Sequence, residues 1–229
     1  MEVITYKIHK NLKKLIKYKF SIIKNDIEIE NKRINHINIY HRDWQNNNCD
    51  EIIEILKNEY SIDVNNLVSL AFITSQVNCF DQHFHIDYEG KVKTYFIPLI
   101  DLDDNNGTEF VKFNDVDLNK NIVNELVNIT NNFITRKDVE KEFTKMNITR
   151  NDYEFCYLNS PKWSFVLMPS YLFHRGQSNK GTKNRTLFQI TVANVDTNPV
   201  VSNEVKIDDS ELDNGEDISL ISKLIINRL

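Results

Sequence analysis

Val68-Ser-Leu-Ala-Phe-Ile-Thr74 is the stretch on which the reading of the fold turns, because the texture of the chain changes there. Before it, apolar residues recur at helical spacing: Leu12, Leu15, Ile16 and Phe20 among lysines, then Ile52, Ile53, Leu56 and Tyr60 after an N-cap candidate at Asp50. From Leu67 onward the runs are short and rich in β-branched and aromatic residues. Thr94–Ile100, Thr108–Phe113, Ser164–Met168 and Thr186–Ala193 repeat the pattern of 68–74, with turn residues between several of them. Many short strands without alternating helices predict a β-sandwich or barrel and argue against a βαβ sheet.

The exception is 117–150. Thr135-Arg-Lys-Asp138 reads as a capping box leading into Val139, Glu142, Phe143 and Met146 at helical spacing, preceded by a weaker helix around Ile122–Ile134. This predicts a helical insert in a β-rich domain. Past Asn194 the chain turns acidic, and Asp217 is placed to cap a last helix through Ile218, Ile221, Leu224 and Ile225. The expected organisation is a single domain over 1–229. Residues 1–65 form helical N-terminal support, 66–195 the β core with its insert at 117–150, and 196–229 an acidic C-terminal extension.

Composition bounds the function. With 229 residues, 27% charged and 41% hydrophobic, and a net charge of −5, this is an ordinary globular chain large enough for one sizeable core. The balance gives no support to a nucleic-acid partner. No apolar run approaches a membrane span and the N-terminus lacks a signal-peptide pattern, so the cytoplasm is the expected compartment. Cys49, Cys79 and Cys156 are odd in number and widely spaced, which suggests buried thiols rather than a disulfide framework. The lysines of 1–24 are read as the wet side of a helix packed on the core, in preference to a membrane-binding face.

The chemistry is concentrated in Cys79-Phe-Asp-Gln-His-Phe-His-Ile-Asp87. On an extended chain residues i and i+2 share a face, so His83, His85 and Asp87 project together. The local sequence allows His83 with His85, His85 with Asp87, or all three as metal ligands. A further ligand must come from elsewhere, and His174 stands out because it ends the strand-like run "WSFVLMPSYLFHRG" within the β region. Two histidines and a carboxylate on one face of an octahedron form the facial triad of non-haem Fe(II) oxygenases, with His83 then a neighbour. Arg185, eleven residues after His174, begins a strand and is suited to holding a dicarboxylate by a bidentate pair.

Taken together, Gln82-x-x-His85-x-Asp87, Asn106-Gly-Thr-Glu-Phe-Val111 and His174-Arg-Gly-x-x-Asn179-x-Gly-x-x-x-Arg185 resemble the Fe(II)/2-oxoglutarate-dependent dioxygenases, most closely their phytanoyl-CoA dioxygenase-like branch. The likeness covers roughly residues 66–195. It implies a mainly β fold with flanking helices, built on a double-stranded β-helix (jelly roll) core. It implies that His85, Asp87 and His174 hold Fe(II), that Arg185 pairs with the distal carboxylate of 2-oxoglutarate, and that O2 is the oxidant. Gln82 and Thr94 are candidates to assist at that carboxylate, and Tyr88 and His83 to line the substrate mouth. The implied chemistry is oxidative decarboxylation of 2-oxoglutarate to succinate and CO2, coupled to hydroxylation of a substrate. Two rivals are a cupin-like metalloprotein using His83, His85 and His174, and a non-enzymatic jelly-roll binding module.

Overall fold

A computed structural model describes residues 4–23, 35–39, 49–87, 91–115, 122, 125, 126, 135–169 and 171–193. Tyr88, most of the weaker helix expected at 122–134 and the 196–229 extension lie outside the described residues.

Among the described residues nine strands form two sheets, and every pairing between named strands is antiparallel. The strands are β1 (Ile4–Lys7), β2 (Asn35–Ile39), β3 (Leu67–Ser75), β4 (Val92–Pro98), β5 (Thr108–Phe113), β6 (Tyr153–Tyr157), β7 (Ser164–Met168), β8 (His174–Gly176) and β9 (Arg185–Ala193). Six of them make one sheet in the order β1-β7-β4-β9-β3-β2, and three make a second in the order β6-β5-β8. The helices are α1 (Lys10–Ile23), α2 (Asp50–Tyr60) and α3 (Arg136–Lys145).

Alternation along the strands sorts the side chains into three apolar layers. On β9, Phe188, Ile190 and Val192 point outward to meet Leu12 and Ile16 of α1 and Ile52 and Leu56 of α2. Burying each such side chain stabilises the fold by about 1.5–3 kcal/mol, which is what fixes two lysine-rich or acid-rich helices on that face. Leu187 points the other way and joins Phe96, Val166 and Met168 of the large sheet with Phe110 of the small sheet, so this cluster lies between the sheets. A third cluster, Val111, Phe113, Phe84 and Phe173 with Val139 and Phe143 of α3, covers the far side of the small sheet. The insert helix is therefore an outer layer behind the small sheet.

The strands expected at 68–74, 94–100, 108–113, 164–168 and 186–193 are present, shifted by at most two residues at each end. The capping box is present in full: Thr135 and Asp138 exchange side-chain to backbone bonds at the head of α3. Four strands go beyond the sequence reading. β1 and β2 add strands to the N-terminal region expected to be helical, where they close the two edges of the large sheet. The run 163–176 divides into β7 and β8 after Met168, at Pro169, whose ring cannot donate to a ladder. β6 carries Tyr153, Phe155 and Tyr157 at period two. At α2 the cap position is Cys49, whose side chain does not cap the helix, while Asp50 and Glu51 are first-turn acids that suit the positive end of the helix. Cys49 and Cys79 are buried, whereas Cys156 is only half-buried.

Candidate metal centre

His174 opens β8, and His85 lies in an extended segment that joins the small sheet by one bridge to it. That bridge, rather than a regular strand through 83–87, is what aligns the two histidines. Their rings lie 4.5 Å apart between centroids, and Asp87 Oδ1 sits 3.5 Å from His85 Nε2 and 3.7 Å from His174 Nε2. Among the described residues, ligand atoms of His85, Asp87 and His174 all fall within 4.8 Å of one another. Separations of 3.5 to 3.7 Å are long for hydrogen bonds but suit atoms sharing one ion at bonds of about 2.1 Å.

The imidazoles are oriented from behind. His85 Nδ1 is 2.9 Å from the carbonyl of His83, and His174 Nδ1 is 2.8 Å from the carbonyl of Leu172. A carbonyl can only accept, so each Nδ1 carries the proton and each Nε2 offers its lone pair toward Asp87. Burial pushes His174 down to about 4, with His85 adding to the effect and Asp87 opposing it. For Asp87, burial favours the neutral form, but His174, His85 and the Thr94 hydroxyl together outweigh it and hold the carboxyl well below its usual range. At neutral pH His174 is thus a neutral imidazole and Asp87 a carboxylate, the states that metal binding requires of them.

Thr94 Oγ1 donates to Asp87 Oδ2 at 3.0 Å, leaving Oδ1 for the histidine side. Thr94 therefore orients the carboxylate. His83 is exposed and contributes only its carbonyl, so its imidazole is not among the converging ligands.

Arg185 starts β9 and is 3% exposed. Its Nη1 donates to the carbonyl of Asn106 at 2.7 Å, and its Nη2 to Ser75 Oγ at 2.6 Å. Gln82 lies beside it: its Oε1 accepts from the N–H of Gly176 at 2.8 Å, while its own N–H donates to the Gly176 carbonyl. A Cβ on Gly176 would stand 2.5 Å from Gln82 Oε1 and 3.3 Å from Arg185 Nη2, so a larger residue there would displace the end of the Gln82 side chain and crowd the guanidinium. Asn179 is fully buried and donates to the carbonyls of Ser75 and Lys183, which ties down the turn between His174 and Arg185. Ser75 was not picked out from sequence. Its alternation with Ala71 and Ile73 on β3 was the available signal, since it puts a hydroxyl at the end of the face that lies between the sheets.

A mainly antiparallel β fold with helices packed outside it thus carries a two-histidine, one-carboxylate cluster between its sheets. No family model matches the chain, and no curated protein matches it. Solved structures do. HygX from Streptomyces hygroscopicus, with nickel and 2-oxoglutarate bound, is similar at TM-score 0.54 and 7% identity, over 84% of this chain and 82% of that one. The non-heme alpha ketoglutarate dependent carbocyclase SnoK from nogalamycin biosynthesis gives 0.53 and 9%, over 83% and 80%. AviO1 from Streptomyces viridochromogenes Tue57 gives 0.52 and 12%, over 86% and 91%. At these identities the likeness is one of fold, and the site must be argued from its own residues.

Proposed function

We propose that this chain is an Fe(II)- and 2-oxoglutarate-dependent oxygenase that hydroxylates its substrate, with succinate and CO2 released. The observation that carries the reading is the convergence of His85, Asp87 and His174, with both Nδ1 protons committed to backbone carbonyls. Such a set would hold Fe(II) through three protein ligands and leave it positions for cosubstrate and O2. The similar folds of HygX, with nickel and 2-oxoglutarate bound, and SnoK, described as alpha ketoglutarate dependent, support the same choice. The phytanoyl-CoA dioxygenase-like branch is supported by the order and spacing of the His174-to-Arg185 motif.

Iron in this site would supply O2 activation coupled to decarboxylation of 2-oxoglutarate. The chain's share is positioning. His85, Asp87 and His174 hold the ion, Thr94 aims Asp87, and Arg185 supplies the cation for the distal carboxylate, with Gln82 and the Ser75 hydroxyl at its side. Asp87 would give the ion a third protein ligand, which favours hydroxylation over halogenation. His174 and Thr94 are buried, so water is kept from that side of the centre.

The test is turnover of 2-oxoglutarate by purified protein with Fe(II) and ascorbate. Slow succinate release without added substrate is expected, abolished by His174→Ala. Absence of turnover together with absence of iron-dependent 2-oxoglutarate binding would overturn the proposal in favour of a non-enzymatic module.

A further inference from the structure

Behind the metal centre, on the face of the small sheet turned toward α3, Glu109 is 1% exposed and both of its carboxylate oxygens are engaged by arginines. Oε2 accepts from Arg175 Nε at 2.7 Å, and Oε1 accepts from Arg136 Nε. The register explains the arrangement. Tyr157, Glu109 and Arg175 form one row across β6, β5 and β8, and Arg136 descends on that row from the first turn of α3. Arg136 also donates from Nη2 to the Tyr157 hydroxyl at 2.5 Å and stacks over the Phe155 ring.

Arg175 carries the connection onward. It directly follows His174 in β8, and alternation sends its side chain to the opposite face. There its guanidinium lies 4.6 Å from the ring centroid of Phe84, which directly precedes His85, and Nη1 is 3.4 Å from Asp81 Oδ2. One arginine therefore touches the segment that bears His85 while being part of the strand that bears His174.

We infer that Glu109 is a positioning residue: it locks Arg175 from behind, so that the insert helix, through Arg136, sets the spacing of His85 and His174. A carboxylate buried between two guanidiniums is held rigidly, because each partner satisfies an oxygen that water cannot reach. That rigidity is delivered to the backbone on both sides of the His85–His174 bridge. The metal consequence rests on the site reading given above; the geometric consequence does not.

The experiment compares Glu109→Gln and Glu109→Asp with Val139→Ala, which trims a buried side chain of α3 and leaves the ionic row intact. Amide hydrogen exchange of His85 and His174 is read in the metal-free protein, and Co(II) affinity is read separately. In Glu109→Gln, protection of those two amides is expected to fall at least tenfold more than in Val139→Ala, after both are compared at equal margin below their melting temperatures. Partial recovery is expected in Glu109→Asp. Co(II) affinity should fall about 10- to 100-fold in Glu109→Gln, the usual effect of losing a group that orients ligands, and less than threefold in Val139→Ala. Unchanged protection in Glu109→Gln, or equal loss in Val139→Ala, overturns the inference. Wild-type protein that takes no Co(II) overturns the metal reading instead, and leaves the exchange result to decide the role of Glu109.

Discussion

The backbone N–H of His85 donates to the carbonyl of His174 at 2.7 Å, and the N–H of His174 returns to the carbonyl of His85 at 2.9 Å. This reciprocal pair places two residues 89 positions apart (174 − 85) directly opposite each other with their side chains on one face. Asp87, two residues on, then needs only a short turn to close the set. The metal-binding prediction follows from this. Asp87→Ala should lose Co(II) or Fe(II) binding, while His83→Ala, whose imidazole is exposed and whose carbonyl survives the substitution, should bind within about threefold of wild type. Isothermal titration of the metal-free protein measures both, and the opposite ranking would favour the three-histidine alternative.

The depressed His174 value gives a pH prediction whose sign can be worked out. An unfolded histidine titrates near 6.5, while His174 in the fold titrates at about 4. Between those values the unfolded chain binds the extra proton, so the metal-free protein loses stability as pH falls from about 6.5 to about 4. The contribution is on the order of 3 kcal/mol. Asp87, held low, acts in the next window and contributes loss only as pH falls below about 4. Urea unfolding of wild type and His174→Gln should show the steeper slope in wild type between pH 6.5 and 4; parallel curves there would refute the buried-neutral assignment.

Thr94→Val keeps the shape of a buried side chain and removes the hydroxyl that donates to Asp87 Oδ2. Metal affinity should fall by roughly tenfold, with a change in melting temperature equivalent to about 1 kcal/mol. An affinity equal to wild type would mean that Thr94 serves only as packing.

How much of this the sequence disclosed depends on the range of the interactions involved. The strands at 68–74 and 186–193 were legible because burial on both faces leaves a continuous β-branched run. β1 and β2 were not, since strands of four and five residues at a sheet edge take their conformation from a partner rather than from their own propensity. The convergence of His85, Asp87 and His174 was legible through the order of the motifs along the chain. What sequence could not disclose was that the Thr94 hydroxyl would donate to Asp87, or that Glu109 in the "GTEF" strand would face two arginines. Both are contacts between elements, and a period-two pattern assigns a face without saying what arrives there.

Gly107 supplies the next prediction. A Cβ at that position would lie 2.4 Å from the carbonyl oxygen of Leu158 and 2.8 Å from that of Asp103, both backbone atoms that no rotamer change can move. Gly107→Ala should therefore destabilise the fold by about 2–4 kcal/mol, read from thermal or urea unfolding. A loss below about 0.5 kcal/mol would show that the turn before β5 can open at little cost.

Arg185 decides between a cosubstrate anchor and a purely structural arginine. Its guanidinium is bound by the Asn106 carbonyl and the Ser75 hydroxyl, and either role would make Arg185→Gln unstable. Arg185→Lys separates the roles better, because it keeps the charge and the stem while losing the planar fork that pairs with a carboxylate. If Arg185 anchors 2-oxoglutarate, Arg185→Lys should bind metal normally and show a rise of at least tenfold in the Kd for 2-oxoglutarate. Ser75→Ala should show a smaller rise in the same direction, since it removes one group that steadies the guanidinium. If the arginine is structural, both variants should lower the melting temperature while the 2-oxoglutarate Kd stays within about twofold of wild type, a difference of no more than about 0.4 kcal/mol.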